Sequence, residues 1–178
     1  ALDRHQTNFE QEVAPVRSAM EQWQAYDDTY KAKGGRLQDF TGIDDIQSLV
    51  ALNKILKPNE AMMQDDITNI QQAASYLGLG ETIVSKLTGG SAVLDLGTRK
   101  AIKDAIDRMS KRKFDQYTEI RGRYDTMGQQ QGFGASKYMR PEMKYDPGEA
   151  PRAAQQRSLN NMPSDVQPVR TGGRGRNR

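Results

Sequence analysis

The sequence contains no cysteine and a single histidine, His5, among its 178 residues. Without cysteine the chain can form no disulfide bond, hold no metal through thiolates and use no thiolate nucleophile. His5 has no second imidazole to complete a zinc site, and a Ser–His–Asp triad would have to depend on it alone. Because it follows Arg4 near the start of a charged helical segment, we predict that it is exposed. We therefore expect no catalytic site, bound metal or cofactor, and we expect His5→Ala to leave function unchanged.

The sequence also lacks long apolar runs, and only 35% of its residues are hydrophobic whereas 28% are charged. No run approaches the roughly 20 apolar residues that cross a bilayer, and no signal-peptide pattern is present. An apolar fraction this low predicts that part of the chain lies outside a core or is buried only against a partner. The first residue, Ala1, indicates either a removed initiator methionine or a piece processed from a longer chain.

Alternation of apolar and polar residues with the period of a strand is absent, so we predict an all-α fold. Residues 1–42 are predicted to form an amphipathic helical arm. Pro15 should kink this helix or start a second one, and Gly34-Gly35 should end it. The stripe is narrow and its flanks are charged, which predicts packing against something outside the arm. Its members are Phe9, Val13, Val16, Met20, Trp23 and Tyr30.

Residues 43–127 are predicted to form a helical core that begins with a hairpin. A helix from Ile43 breaks at Lys57-Pro58, because proline lacks an amide hydrogen and forces the residue before it out of the α region. Asn59 is predicted to cap the returning helix, which ends at Leu77. Folding back would bury a shared apolar set, namely Ile55, Leu56, Met62 and Ile67.

A short helix over residues 81–87 is predicted to precede a long helix from about Gly97 to Met127, which would form the third side of the core. Acidic residues four positions before basic ones predict surface ion pairs along the long helix. These pairs are Asp104–Arg108, Asp107–Lys111 and Glu119–Arg123. The apolar stripe is predicted to comprise Ile102, Ile106, Met109, Phe114, Tyr117, Ile120, Tyr124 and Met127.

Three carboxylate pairs could be taken for metal ligands: Asp27-Asp28, Asp44-Asp45 and Asp65-Asp66. Adjacent helical side chains diverge by about 100°, so one pair cannot chelate a cation well without further ligands. We therefore predict helix-terminal or solvent-exposed charges at these positions. The stretch LGLGETIVSKLTGGSA has Gly-x-Gly but neither a third glycine nor the Gly-Lys-Ser/Thr of a phosphate loop, so it predicts two helix-ending turns.

Residues 128–178 are predicted to form an extended, irregular basic tail. They hold nine Lys or Arg residues against four Asp or Glu, together with five of the seven prolines. Such a segment cannot recover its ordering entropy in isolation. We therefore expect the tail to become ordered only against neighbouring chains.

The tail carries two sets of candidate contact residues. Large, partly polar side chains dominate binding contacts, so we expect those near the start of the tail to dock in a groove of a partner. The terminal arginines are expected to contact phosphates or an acidic protein surface without reading bases, since no aromatic residue follows Tyr145. For these arginines the alternative is an ordinary solubilising terminus. The docking set is Tyr138, Met139, Met143 and Tyr145, and the arginine set is Arg170, Arg174, Arg176 and Arg178.

The order of these segments resembles a helical module of the internal virion proteins of tailed phages, the DNA transfer or ejection proteins. The stretches that carry the resemblance are LVALNKILKP, NEAMMQDDITNIQQAASY, the glycine-rich turn after them, KFDQYTEIRGRYDTMGQQQGF and KYMRPEMKYDP. Together they cover about residues 47–147. The polar NEAMMQDD departs from the family pattern, which usually has a valine-rich stretch after the proline.

The resemblance implies a structural protein packaged inside the virion near the portal, which leaves with the genome and helps to form a conduit through the host envelope. Its implied partners are copies of itself in a ring or tube, portal or tail components, and packaged DNA bound without sequence specificity. Membrane contact would follow ejection. Two alternatives stay open: a helical nucleic-acid-associated module or assembly chaperone with a basic tail, and a non-catalytic arm of a large phage lytic enzyme.

Overall fold

The computed structural model describes residues 2–61, 65–89, 93–132, 134, 139 and 143–145. All regular secondary structure in this part of the chain is helical, which confirms the predicted all-α class. The described helical residues lie in one compact unit, residues 1–146. The helices are α1 (Leu2–Ala32), a 3-10 turn (Leu37–Asp39), α2 (Gly42–Leu56), α3 (Pro58–Ala61), α4 (Asp66–Tyr76), α5 (Glu81–Thr88) and α6 (Leu96–Gln130).

Helix α1 runs without interruption through Pro15, so the second helix start considered at this proline is not observed. Pro15 cannot donate to the carbonyl of Gln11, but Gln11 is exposed and water can take the place of the missing donor. The predicted stripe of α1 is buried along its whole length. After the helix, Gly34 and Gly35 both adopt positive φ values, 66° and 72°, which explains why the chain stops there.

The predicted hairpin is confirmed, with α2 and α4 packed together and α3 forming a single turn at the break. Between the two helices, the buried Asn53 Nδ2 donates to Asn69 Oδ1 over 2.7 Å. The predicted cap is wrong: α3 already begins at Pro58, and Asn59 lies inside it. Asp65 caps α4 instead, because its carboxylate accepts the Thr68 amide over 2.7 Å.

Three apolar residues of the predicted helices are exposed, which corrects the predicted burial of Ile67 in the hairpin and of Met127 in the stripe of α6. Ile43 is 68% exposed because it lies on the face of α2 opposite the buried one. Ile67 (56%) and Met127 (38%) lie at the edges of the buried faces of α4 and α6. Ile55 is fully buried as predicted, Leu56 is only half-buried, and Met62 lies outside the described residues.

Two of the ion pairs predicted along α6 are replaced by others. Asp107 pairs with Lys103 (2.5 Å) rather than Lys111, which pairs with Asp115 over 2.8 Å. Arg123 pairs with Glu12 of α1 instead of Glu119. The packing of α1 on α6 brings the Glu12 carboxylate within reach of Arg123, which therefore does not pair with Glu119 of its own helix.

A buried ion pair joins the start of α2 to the start of α6. Arg99 is 6% exposed and Asp45 only 1%, and the guanidinium binds the carboxylate through two contacts, Nε–Oδ1 at 2.7 Å and Nη2–Oδ2 at 2.9 Å. Arg99 also donates to the carbonyls of Leu37 and Phe40, and Asp45 accepts the amide of Leu94 over 2.8 Å. The prediction of a helix-terminal or solvent-exposed charge is therefore incomplete for Asp45, which holds two connecting segments onto the helices.

The N-terminus of α2 has a reciprocal cap. The Thr41 hydroxyl accepts the Asp44 amide, and the Asp44 carboxylate accepts the Thr41 amide over 2.7 Å. Burial alone would raise the pKa of Asp44, but hydrogen bonds from Thr41 and Lys33 outweigh it and lower the pKa.

Removing this cap should weaken α2 in a pH-dependent way. We expect Thr41→Ala to reduce the free energy of unfolding by about 1 kcal/mol at pH 7. Because the folded-state pKa of Asp44 is lowered, its contribution is complete above the unfolded pKa and is lost as the pH falls through the folded one, that is, below about pH 4. Urea unfolding of wild type and Asp44→Asn at pH 7 and pH 3 tests this, and a difference that stays constant over that range would contradict it.

Candidate functional site

The described residues include no cluster that suggests chemistry. Nowhere in that part of the chain do three or more His, Cys, Asp or Glu side chains come together as a metal site. His5, predicted to be exposed, is 6% exposed, and its Nε2 lies 3.3 Å from the carbonyl oxygen of Tyr124. The prediction was wrong because α6 covers this end of α1, which a local pattern around His5 does not reveal.

The apolar residues form two buried clusters. The main cluster joins the C-terminal half of α1 to α2, α4, α5 and the first turns of α6. The second, here called the arm cluster, joins only the N-terminal half of α1 to the C-terminal half of α6. Two helices alone leave one side of such a cluster open to water. The arm cluster consists of Phe9, Val13, Val16, Tyr117, Ile120, Tyr124 and Met139.

Helices α1 and α6 are antiparallel, so a groove runs along their joint surface. At one end, the Phe9 ring meets the Tyr124 ring edge-on at 5.4 Å. At the other, Lys103 Nζ lies 4.8 Å from the centre of the Tyr30 ring. Between these ends, α1 contributes Trp23 and α6 contributes Phe114 and Tyr117, so the middle of the groove is aromatic. We call this surface the α1–α6 groove.

Residues from beyond α6 occupy this groove; we call Met139 and Met143–Tyr145 the docking segment. Met139 is 8% exposed and belongs to the arm cluster, whereas Met143 touches both clusters. The Tyr145 ring lies 4.6 Å from the Trp23 ring and stacks on Phe114 at 5.2 Å. The docking segment therefore closes the side of the groove that α1 and α6 leave open.

The described residues of the docking segment follow α6 in the opposite direction. Met139 belongs to the arm cluster, which includes Ile120, and the Tyr145 hydroxyl donates to the Asp107 carbonyl over 3.2 Å. Lys144 is exposed between its two partly buried neighbours, as the alternation of an extended chain requires.

Three residues of the predicted docking set lie in the α1–α6 groove. Within the single chain, Met139, Met143 and Tyr145 pack on α1 and α6. Docking of these residues in a groove of a partner stays a prediction. Tyr138 and the arginine set, Arg170, Arg174, Arg176 and Arg178, lie outside the described residues.

No protein-family model, curated protein or solved structure matches this chain. Of the described helices, none is long and apolar enough to cross a membrane.

Two further surface grooves occur in the described part, one of about 330 Å³ between α1 and α2 and one of about 690 Å³ beside α4 and α5.

Two polar contacts hold the docking segment, and both involve tyrosine hydroxyls. The Met143 amide donates to Tyr117 over a long 3.4 Å, and Tyr145 donates to the Asp107 carbonyl. Burial, reinforced by the negative charges of Asp107 and Asp115, raises the pKa of Tyr145 to about 12. The neutral phenol is therefore the form that docks.

Ionising Tyr145 should release the docking segment. The pKa of Tyr145 is higher in the folded state than in the unfolded chain. The stability that docking of Tyr145 contributes is therefore fully present below the unfolded pKa, near 10, and is lost as the pH rises through the folded value, about 12. Trp23 is the only tryptophan, so its fluorescence reports the contact with Tyr145 directly. We expect a fluorescence change between about pH 10 and pH 12.

The matched variants are Tyr145→Phe and Lys144→Ala. Tyr145→Phe keeps the ring but cannot ionise, so its fluorescence change should shift to the pH of global unfolding. Tyr145→Ala should reduce the free energy of unfolding by about 1–2 kcal/mol, less than for a fully buried aromatic residue, whereas Lys144→Ala should have little effect. An identical alkaline transition in Tyr145→Phe would contradict this assignment.

Sequence reasoning missed the groove although it named most of its lining. Trp23, Phe114 and Tyr117 were all placed on apolar stripes, but a stripe does not tell which neighbour covers it. Sequence reasoning also did not predict that Arg99 is buried, although the helical spacing of this residue indicates it. Arg99 precedes Ile102 by three positions and Ile106 by seven, so it lies on the buried face of α6.

Proposed function

We infer that this chain is a non-catalytic structural component of a tailed-phage virion, an internal protein of the DNA-ejection type. The resemblance over residues 47–147 suggests this function. The observation that best supports it is the packing of the α2–α4 hairpin, through α2, against the long helix α6, because these are the elements that carry the resemblance. In this role the helical unit is a building block, and the basic tail contacts neighbouring proteins or packaged DNA.

A second candidate is a helical module that binds nucleic acid through the tail. The observation that favours it is the charge distribution, since residues 128–178 carry five more basic than acidic residues whereas residues 1–127 carry two more acidic than basic ones. Four arginines on phosphates would give a slope of about −4 at most in a plot of log affinity against log salt concentration.

The two functions differ in the assemblies they require. An ejection component should form rings or tubes of many copies, visible by electron microscopy and as a high mass in light scattering. A nucleic-acid module should stay monomeric or dimeric and bind any DNA sequence equally. In virions, the ejection function further requires that the chain be present before DNA release and absent from the emptied particle. Its retention in emptied particles would exclude the ejection function.

Deleting residues 148–178 separates the tail from the helical unit. We expect the melting temperature to stay within about 2 °C, because a change below 0.5 kcal/mol shifts a domain of this size by no more. Assembly or DNA association should weaken. A large fall in melting temperature would mean that the tail belongs to the folded unit, and unchanged assembly and DNA binding would remove the role given to the arginines.

A further inference from the structure

The docking segment is held only by non-covalent contacts, and those described are to α1 and α6. Three side chains and two hydrogen bonds anchor it. Every copy of the chain presents the same α1–α6 groove. A docking segment from a second copy could therefore make all of these contacts unchanged, as in other exchanged elements.

The connection to α6 has the length and the residues that such an exchange needs. Helix α6 ends at Gln130, and Gly132 follows with a φ of +82°, a conformation that glycine adopts without strain. Gly134 comes two residues later. From Gln131 to Met139 the chain can reach about 26–29 Å when fully extended. The connection is therefore long enough to place the docking segment in the groove of another copy that lies within this distance of the end of α6.

We propose that copies of this chain exchange the docking segment, so that Met139 and Met143–Tyr145 of one copy occupy the α1–α6 groove of the next. Two copies that exchange reciprocally close as a dimer. Where each copy instead donates to one neighbour and accepts from another, which is possible because the donor and acceptor surfaces are different parts of the chain, the contact is head-to-tail and continues from copy to copy. Such contacts close into a ring or extend as a helical tube. This inference deepens the proposed function, since it names the surface through which the copies of an ejection component would be joined.

The absence of native cysteine allows a direct test by cross-linking. Glu21 of α1 and Lys144 of the docking segment are exposed and line the same small groove, of about 250 Å³. The double variant Glu21→Cys/Lys144→Cys is treated with a short bismaleimide and analysed on a denaturing gel. Exchange predicts a ladder of covalent multimers from the assembled fraction. Intramolecular docking predicts a single band at monomer mass.

A matched pair controls for chance collisions between copies. Glu12 of α1 and Arg123 of α6 form an exposed ion pair inside the helical unit, so Glu12→Cys/Arg123→Cys should cross-link within one chain whether or not exchange occurs. Mixing the single variants Glu21→Cys and Lys144→Cys before assembly should give a covalent dimer. A synthetic peptide of residues 137–147 added in excess should reduce this dimer at least several-fold by competing for the groove.

The outcomes separate this inference from the proposed function. Rings or tubes in which the Glu21/Lys144 pair cross-links only within chains would overturn exchange and leave the ejection function standing. Exchanged dimers without rings or tubes would support exchange and remove the conduit function. A chain that stays monomeric, with intramolecular cross-links only, would overturn both.

Discussion

Arg99→Met is expected to reduce the free energy of unfolding by about 3–5 kcal/mol, because it leaves the Asp45 carboxylate buried without its cation. Asp45 is only 1% exposed, so water cannot replace the guanidinium. The variant also removes the donors to the carbonyls of Leu37 and Phe40, which loosens the connection between α1 and α2. Urea unfolding followed by circular dichroism measures the loss.

Two controls decide whether the ion pair causes this loss. Arg123→Met removes an exposed arginine from the same helix and should cost less than about 1 kcal/mol, as surface pairs do. The double variant Asp45→Leu/Arg99→Met should be more stable than Arg99→Met alone, since no charge is then left buried. If the two single losses simply add in the double variant, the residues are not coupled and the explanation fails.

Ile106→Asp should be the most damaging single substitution in the core. Ile106 is completely buried in the main cluster, where α6 faces α1 and α2. An aspartate there would place an unpaired carboxylate among apolar side chains, at a cost of more than about 4 kcal/mol. We expect the variant to be largely unfolded at 25 °C by circular dichroism and tryptophan fluorescence.

Ile43→Asp is the matched control, because it makes the same chemical change at an apolar helical residue that is 68% exposed. Its effect should stay within about 0.5 kcal/mol, and a negative charge in the first turn of α2 is favourable for the helix dipole. Both isoleucines lie in helices that the sequence predicts, and only the structure distinguishes their burial, so the pair also tests that burial. Equal losses at the two positions would show that the described burial is wrong.

The two clusters divide stability unevenly along α1 and α6. The main cluster has helices on several sides, whereas the arm cluster has only α1, α6 and the docking segment. Local opening needs less free energy where fewer contacts must break. We therefore infer that the arm cluster can release the docking segment while the main cluster stays folded. Exchange between copies requires this motion.

The predictions from sequence were most accurate for features that depend on neighbouring residues. The stripe of α1 from Phe9 to Tyr30, the break at Lys57-Pro58 and the glycine ends of the helices all follow from periodicity or from a single residue's backbone. Even there, the N-cap of the returning helix was predicted wrongly. Asp65 has a side chain that can cap a helix as Asn59 can, and it lies directly before α4, whereas Asn59 does not.

The sequence by itself determined the helical class and the position of the hairpin, since both depend on local periodicity and on proline and glycine. Only the tertiary structure decided which surfaces meet. The Asp45–Arg99 pair spans 54 positions, and His5 meets Tyr124 across 119. Within one chain, the docking segment likewise packs on α1 and α6. Such contacts depend on how the helices pack. An apolar stripe predicts that a helix face is buried, but it does not identify the element that packs on that face.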